Sequence, residues 1–164
     1  MLRMLALALI TAVMSTQVCW AGVDVTFNAP ETYTDQDFRN ATKRRGILNT
    51  FEKHFDRLGD RYLKPGQTLR IQVLNIDLAG DREPWRRGFG DARVLRETTP
   101  PRFKLRYALV ENGKVVAKGQ ETVTDAAYLW KASPQMSSGR FAHEKSMLRN
   151  WFHRRFVAMK PPRG

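Results

Sequence analysis

Apolar and polar residues alternate in Val23-Asp24-Val25-Thr26-Phe27, the pattern of a half-buried strand. Asn28-Ala29-Pro30 closes it, because proline cannot donate to a ladder. A polar connector follows through Thr34-Asp35-Gln36-Asp37, and then the period changes. Ile47, Leu48, Phe51, Phe55, Leu58 and Tyr62 fall within an arc of about 100° when set on a helix. Arg45, Glu52, Lys53, Asp56, Arg57 and Asp60 face away, and Lys64-Pro65-Gly66 stops the helix.

A long strand is predicted from Thr68 to Gly80. Leu69, Ile71 and Val73 hold one phase, and Leu74, Ile76 and Leu78 hold the other. Such a one-residue switch means a bulge or burial on both faces. Asp81 to Asp91 reads as a loop, Ala92 to Arg96 as a short strand. Phe103, Leu105, Tyr107 and Leu109 then alternate with Lys104, Arg106 and Ala108 up to Asn112-Gly113. That dipeptide predicts a two-residue hairpin turn with positive φ at both positions. The register it implies sets Val110 against Val115, Glu111 against Lys114 and Lys104 against Glu121, and the returning strand runs to about Asp125. A second helix is expected from Phe141 to Val157, with Met147, Leu148, Trp151, Phe152 and Phe156 on its apolar side. Glu144 and Arg155 fall inside that apolar arc.

The order strand, helix, long strand, short strand, hairpin, helix predicts an α+β fold. One domain is expected, with a mainly antiparallel sheet and two helices packed on one face. No internal repeat and no linker divides the chain.

The segment before the first strand changes the picture of where this domain works. Met1-Leu2-Arg3 is positive, Met4 to Met14 is a run of apolar and small residues, and Ser15 to Val18 leads into Cys19-Trp20-Ala21. That order is the grammar of a cleaved secretory signal peptide over residues 1–21. The apolar run falls short of the ~20 residues a spanning helix needs. Lipid attachment at Cys19 is the rival reading, but the branched Val18 precedes that cysteine. Cleavage after Ala21 leaves 143 of the 164 residues, a domain of residues 22–159 with a disordered tail at 160–164. The only cysteine departs with the leader, so burial rather than a disulfide must hold the fold. Arg3 departs too, lowering the formal net charge from +12 to +11.

That basic excess is the most informative feature of composition. Residues 82–107 hold eight Lys or Arg against three acids, and residues 140–164 hold seven against one. Trp85-Arg86-Arg87-Gly88-Phe89-Gly90 interleaves aromatic rings with guanidinium groups. Arginine forks bind phosphate or carboxylate bidentately, and a Trp face stacks on a sugar, base or acyl surface. Trp85, Arg86, Arg87 and Arg93 are therefore the candidate binding residues. A merely solvated basic surface, with Trp85 packed on the sheet, is the competing account.

No catalytic motif is completed. His143-Glu144 opens a zinc-protease pattern, but Met147 stands where the second histidine belongs. His54, His143 and His153 are thus expected to be structural or surface residues. Ser137-Ser138-Gly139 lacks the flanking residues of a nucleophile elbow. Gly88-Phe89-Gly90 meets Arg93 where the third glycine of a dinucleotide fingerprint belongs. Asp77, Asp81 and Glu83 could hold a hard cation, yet Arg82, Arg86 and Arg87 beside them point to local neutralisation. Neither a catalytic residue, a metal ligand nor a cofactor is expected.

Several phrases together resemble an uncharacterised family of exported Gram-negative proteins, catalogued as the domain of unknown function numbered three thousand and sixteen. They are Val23-Asp24-Val25-Thr26-Phe27, Ile76-Asp77-Leu78-Ala79-Gly80, Pro84-Trp85-Arg86, Arg93 to Arg96 with Pro100-Pro101-Arg102, Leu105-Arg106-Tyr107 and Trp151-Phe152. The resemblance implies a periplasmic location and supplies no site residues. The expectation is a non-enzymatic binding or scaffold domain of the cell envelope. The alternative is a binder of an anionic polymer or lipid head group through the basic-aromatic loop. An anionic ligand or another envelope protein is the expected partner, rather than nucleic acid, with no membrane span.

Overall fold

The computed structural model describes residues 21–83, 85, 92–130 and 139–160. Residues 1–20, 84, 86–91, 131–138 and 161–164 lie outside them. Strand β1 spans Gly22–Phe27, helix α1 Ala41–Tyr62 and strand β2 Gln67–Asp77. The Asn40 side chain caps α1 by accepting the Lys43 N–H at 2.9 Å. Ile47, Phe51, Phe55 and Leu58 are buried along it, as the apolar stripe predicts. A Cβ at Gly59 would collide with Val23, so the glycine lets the helix approach β1. With α1 as crossover, β1 and β2 pair in parallel, Val23 opposite Leu69 and Val25 opposite Ile71.

Strand β5, Arg102–Glu111, pairs antiparallel with β2. Their register shifts between Val73 and Asn75, so Leu74 forms a bulge, one of the two alternatives that the phase switch left open. Strand β6, Lys114–Thr124, returns from the hairpin, whose Asn112 and Gly113 have φ of 48° and 79°. The sheet order is β1-β2-β5-β6. The expected 81–91 loop begins as structure instead. Strand β3, Asp81–Arg82, pairs with strand β4, Arg93–Val94, in a small second sheet.

One predicted pairing is corrected. Val110 does face Val115 and Glu111 does face Lys114, but the register shifts at Leu109/Val110. Val116 is the extra residue, and beyond it every partner moves by one. Lys104 therefore lies opposite Thr122, and Glu121 lies opposite the buried Leu105. Side chains alternate across a strand, so the shift turns Glu121 toward the core.

That turn explains the charges inside the second apolar stripe. Helix α2, Ala142–Phe152, runs on into a π-helical turn at His153–Val157. From that turn Arg155 reaches Glu121 at 2.8 and 2.6 Å, and the Trp151 indole N–H donates to the same carboxylate at 2.9 Å. Burial acts to raise the Glu121 pKa, but these three donors and the Arg155 charge outweigh it, and the net shift is downward. Phe51 of α1 packs edge-on against Phe103 with ring centroids 4.9 Å apart, and Trp151 packs against Tyr107 at 5.8 Å. Phe103 and Tyr107 share one phase of β5, with Leu105 and Leu109 also buried on it.

Candidate functional site

The connector between β1 and α1 is built as structure rather than loop. Short 3-10 turns at Pro30–Thr32 and Gln36–Arg39 bury Tyr33 and Phe38 completely. The Tyr33 hydroxyl donates to the Val73 carbonyl at 2.8 Å, and Arg44 donates to the Phe38 carbonyl at 2.7 Å. So fixed, the connector carries two carboxylates inward, Asp35 and Asp37, only 5% and 3% exposed. Two bare carboxylates at that depth would be costly, and two arginines from the small sheet answer them.

Arg93 of β4 places Nη2 2.5 Å from Asp35 Oδ2 and Nη1 3.2 Å from Asp37 Oδ2. Its remaining donors go to backbone carbonyls, Nε to Ala79 at 2.9 Å and Nη2 also to Gly80 at 2.5 Å. Arg82 of β3 forks onto Asp37 at 2.5 and 2.8 Å. Asp35 in turn accepts the Leu78 N–H at 3.3 Å. Gly80 sits at φ 70°, and a Cβ there would come 2.5 Å from the Val94 carbonyl oxygen. Both its backbone angle and its lack of a side chain let the chain turn under β4. Nearby, burial and the Asp35 charge raise the pKa of Asp77.

Beside this frame opens a cleft of about 380 Å³, lined by Arg82, Arg93, Leu95, Arg140, His143 and Glu144. The cleft ends on the first turn of α2, whose N-cap Phe141 offers no side-chain acceptor. Glu144 supplies the negative charge that a helix N-terminus favours. Its carboxylate accepts the Ala79 N–H at 2.9 Å. Burial raises its pKa, while the bonds from Ala79 and its own N–H pull the other way. The first turn of α2 thus meets the protein's own Glu144 side chain. Among the described residues no three His, Cys, Asp or Glu side chains gather as a metal set.

Of the four predicted binding residues, Trp85 is 75% exposed at the surface. Arg86 and Arg87 lie outside the described residues. Arg93 belongs to the buried frame, with its donors committed to Asp35, Asp37 and carbonyls. Asp35, Asp37, Arg82 and Glu144 complete that frame and were not singled out from sequence. The available signals were the pair of acids in Asp35-Gln36-Asp37, which read as a polar connector, and the placement of Glu144 inside an apolar arc.

Fold and site define a single α+β domain in which a buried ion-pair frame ties the connector after β1 to strands β3 and β4. The chain belongs to the family described as "Protein of unknown function (DUF3016)", whose model matches residues 21–154. That match runs from β1 through α2, and so includes the whole frame. No curated protein and no solved structure matches the chain. Among the described residues no helix is long and apolar enough to cross a membrane.

Proposed function

We propose that this is an exported, non-enzymatic binding domain of the cell envelope, working in the periplasm after loss of residues 1–21. The observation that carries the binding role is the frame at the loop base. Arg82 and Arg93, ion-paired to buried Asp35 and Asp37, anchor the two short strands that flank Trp85 in sequence, and Trp85 is exposed. Binding residues held on a rigid scaffold are the common arrangement for loops that recognise partners. On this reading Arg93 is a positioning residue, and Trp85, Arg86 and Arg87 make the contacts. Mass spectrometry of the periplasmic fraction should find Gly22 as the N-terminus, and lipid on Cys19 would overturn the location.

The second reading gives the loop an anionic ligand, favoured by the exposed indole between basic neighbours. Heparin serves as the probe. Generic attraction falls steeply with salt as counterions are released. A stacked Trp85 leaves a component that survives salt, so Trp85→Ala should weaken retention while removing no charge. Equal loss on removing any surface charge, with Trp85→Ala inert, would mean that the loop is not a site.

A further inference from the structure

The outer face of the sheet, opposite the core, carries the residues that alternate with the buried ones. Its rows follow from the register. Arg70 of β2, Ala108 of β5 and Lys118 of β6 lie side by side, and Gln72, Arg106 and Gln120 form the next row. Lys104 extends the face along β5. Arg70, Lys104, Arg106 and Lys118 are all exposed, and among the described residues none of them forms an ion pair. The acids of this face lie at its margins, Asp24 on edge strand β1 opposite Arg70 and Asp77 in the last row opposite Arg102.

Arg106 is held at the centre by neutral acceptors. It donates from Nη1 to Gln72 Oε1 at 3.3 Å, and from Nε and Nη2 to Gln120 Oε1 at 3.3 and 3.0 Å. Both glutamines therefore turn their oxygens inward to Arg106 and have N–H groups left to present. Around Ala108 these side chains enclose an open trough of about 570 Å³. The centre of the face is rich in donors, and the row through Gln72, Arg106 and Gln120 holds no carboxylate.

At one end of the same face the chemistry changes. Val110 continues the outer phase of β5 and lies opposite Val115. Val115 and Val116 at the hairpin are 57% and 46% exposed. A plane of cations edged by bare apolar side chains matches a bilayer interface, where charge meets phosphate and apolar groups enter the acyl boundary. A single-stranded nucleic acid is a poorer fit, since the outer phase offers no aromatic ring for bases to stack on. A lone phosphate would engage Arg106 and its neighbours, whereas cations repeated on three strands suit a layer of headgroups. At a strand spacing of about 5 Å, Arg70 and Lys118 stand about 10 Å apart across Ala108, and Lys104 lies about 7 Å from Arg106 along β5.

We propose that this face docks on anionic lipid bilayers, with Arg70, Lys104, Arg106 and Lys118 on the headgroup phosphates and the Val115–Val116 hairpin entering the interface. It uses other residues than the Trp85 loop and stands whether or not that loop binds anything.

Co-sedimentation of the residue 22–164 protein with vesicles tests it. Vesicles of phosphatidylglycerol and phosphatidylcholine should retain the protein, and pure phosphatidylcholine should not. Each basic residue brought to an anionic surface contributes roughly a fivefold gain in partitioning. Arg106→Gln should thus lower partitioning by about fivefold, and Ala108→Glu, which sets a carboxylate in the trough, by at least as much. Lys53→Gln on the solvent side of α1 should change it far less. Val115→Ser with Val116→Ser should weaken vesicle binding and leave heparin binding unchanged, while Trp85→Ala should leave vesicle binding unchanged. Circular dichroism of each variant separates misfolding from lost binding. The proposal fails if Lys53→Gln costs as much as Arg106→Gln. It fails equally if the valine variants bind vesicles like the parent, which would leave only attraction to polyanions.

Discussion

Arginines at the loop base and on the outer sheet face come from the same basic stretch of sequence, yet they live in opposite circumstances. Arg93 faces two carboxylates and a row of carbonyls, and its side chain is 17% exposed. Arg106, thirteen positions on, faces two glutamine oxygens and solvent. The first is neutralised and built in, the second is oriented but still carries its charge outward. Basic density along a chain therefore says little about which cations can meet a ligand. What decides it is the acceptor that the fold places opposite each one. Around Arg93 those acceptors are Asp35 and Asp37, brought from β1's far end by the folded connector.

Removing the cation at the loop base should have the largest effect. Arg93→Met leaves Asp35 and part of Asp37 buried without their partner, which costs about 3–5 kcal/mol when a buried pair is broken from one side. Urea unfolding at pH 7 should show a lowered midpoint with an unchanged slope. Adding Asp35→Leu should recover part of the loss, since no unpaired charge at Asp35 then remains. A loss below about 1 kcal/mol for Arg93→Met, the range of exposed pairs, would put Arg93 with Arg106 and erase the contrast.

The elements could be read from the sequence where a local pattern encodes them. The stripe from Ile47 to Tyr62, the Asn112-Gly113 turn and the bulge at Leu74 all follow from spacing or turn chemistry within a few residues. The frame could not be read that way, because Arg93 and Asp35 are 58 positions apart. Nothing in Arg93's own neighbourhood distinguishes a ligand fork from an internal one. Val116 hid for a related reason. A bulge without glycine leaves no mark on composition, and the hairpin register read past it, setting Glu121 outward against Lys104. Tyr33 and Phe38 lie in short turns with no period to reveal their burial. The outer face was legible as a polar phase of β5, but not as a surface, since the rows Arg70-Ala108-Lys118 and Gln72-Arg106-Gln120 exist only once three strands are aligned.

A pH experiment sharpens the contrast from the core side of the sheet, because no histidine lies on the outer face. His54 of α1 donates from Nε2 to the Lys145 carbonyl at 3.0 Å. The acceptor is a carbonyl, so the ring keeps its proton on Nε2 in the neutral form. Burial lowers its pKa from 6.5 to about 4, with the Arg57, Lys145 and Arg149 charges adding to that and the Lys145 bond opposing it. Between those values the unfolded chain binds a proton that the folded chain does not, so stability falls as pH drops from 6.5 toward 4. The full shift corresponds to about 3 kcal/mol. Glu144 acts the other way, because its raised pKa favours the folded state as the carboxyl is protonated. His54→Gln isolates the histidine. The parent should lose more stability than the variant between pH 7 and pH 4.5, and parallel losses would place the titration elsewhere.

The smallest expected effect is the one that most directly tests the outer face as a surface free of structural duty. Arg106→Gln removes a guanidinium whose partners are neutral amides in contact with water. When it goes, Gln72 and Gln120 exchange its N–H groups for solvent, and no charge is left buried. Exposed hydrogen bonds of this kind are replaced at little net cost, so the change in unfolding free energy should stay within about 0.5 kcal/mol. The aliphatic stem of arginine does cover part of the sheet, which makes glutamine a fairer replacement than alanine because it keeps part of that cover. The same variant is expected to lower vesicle partitioning fivefold, and the two measurements together separate a binding cation from a structural one. A stability loss of 2 kcal/mol or more would show that Arg106 holds strands β2, β5 and β6 together, as Arg93 holds the loop base. The outer face would then be a second clamp, and a fall in lipid binding by that variant could no longer be assigned to lost contacts.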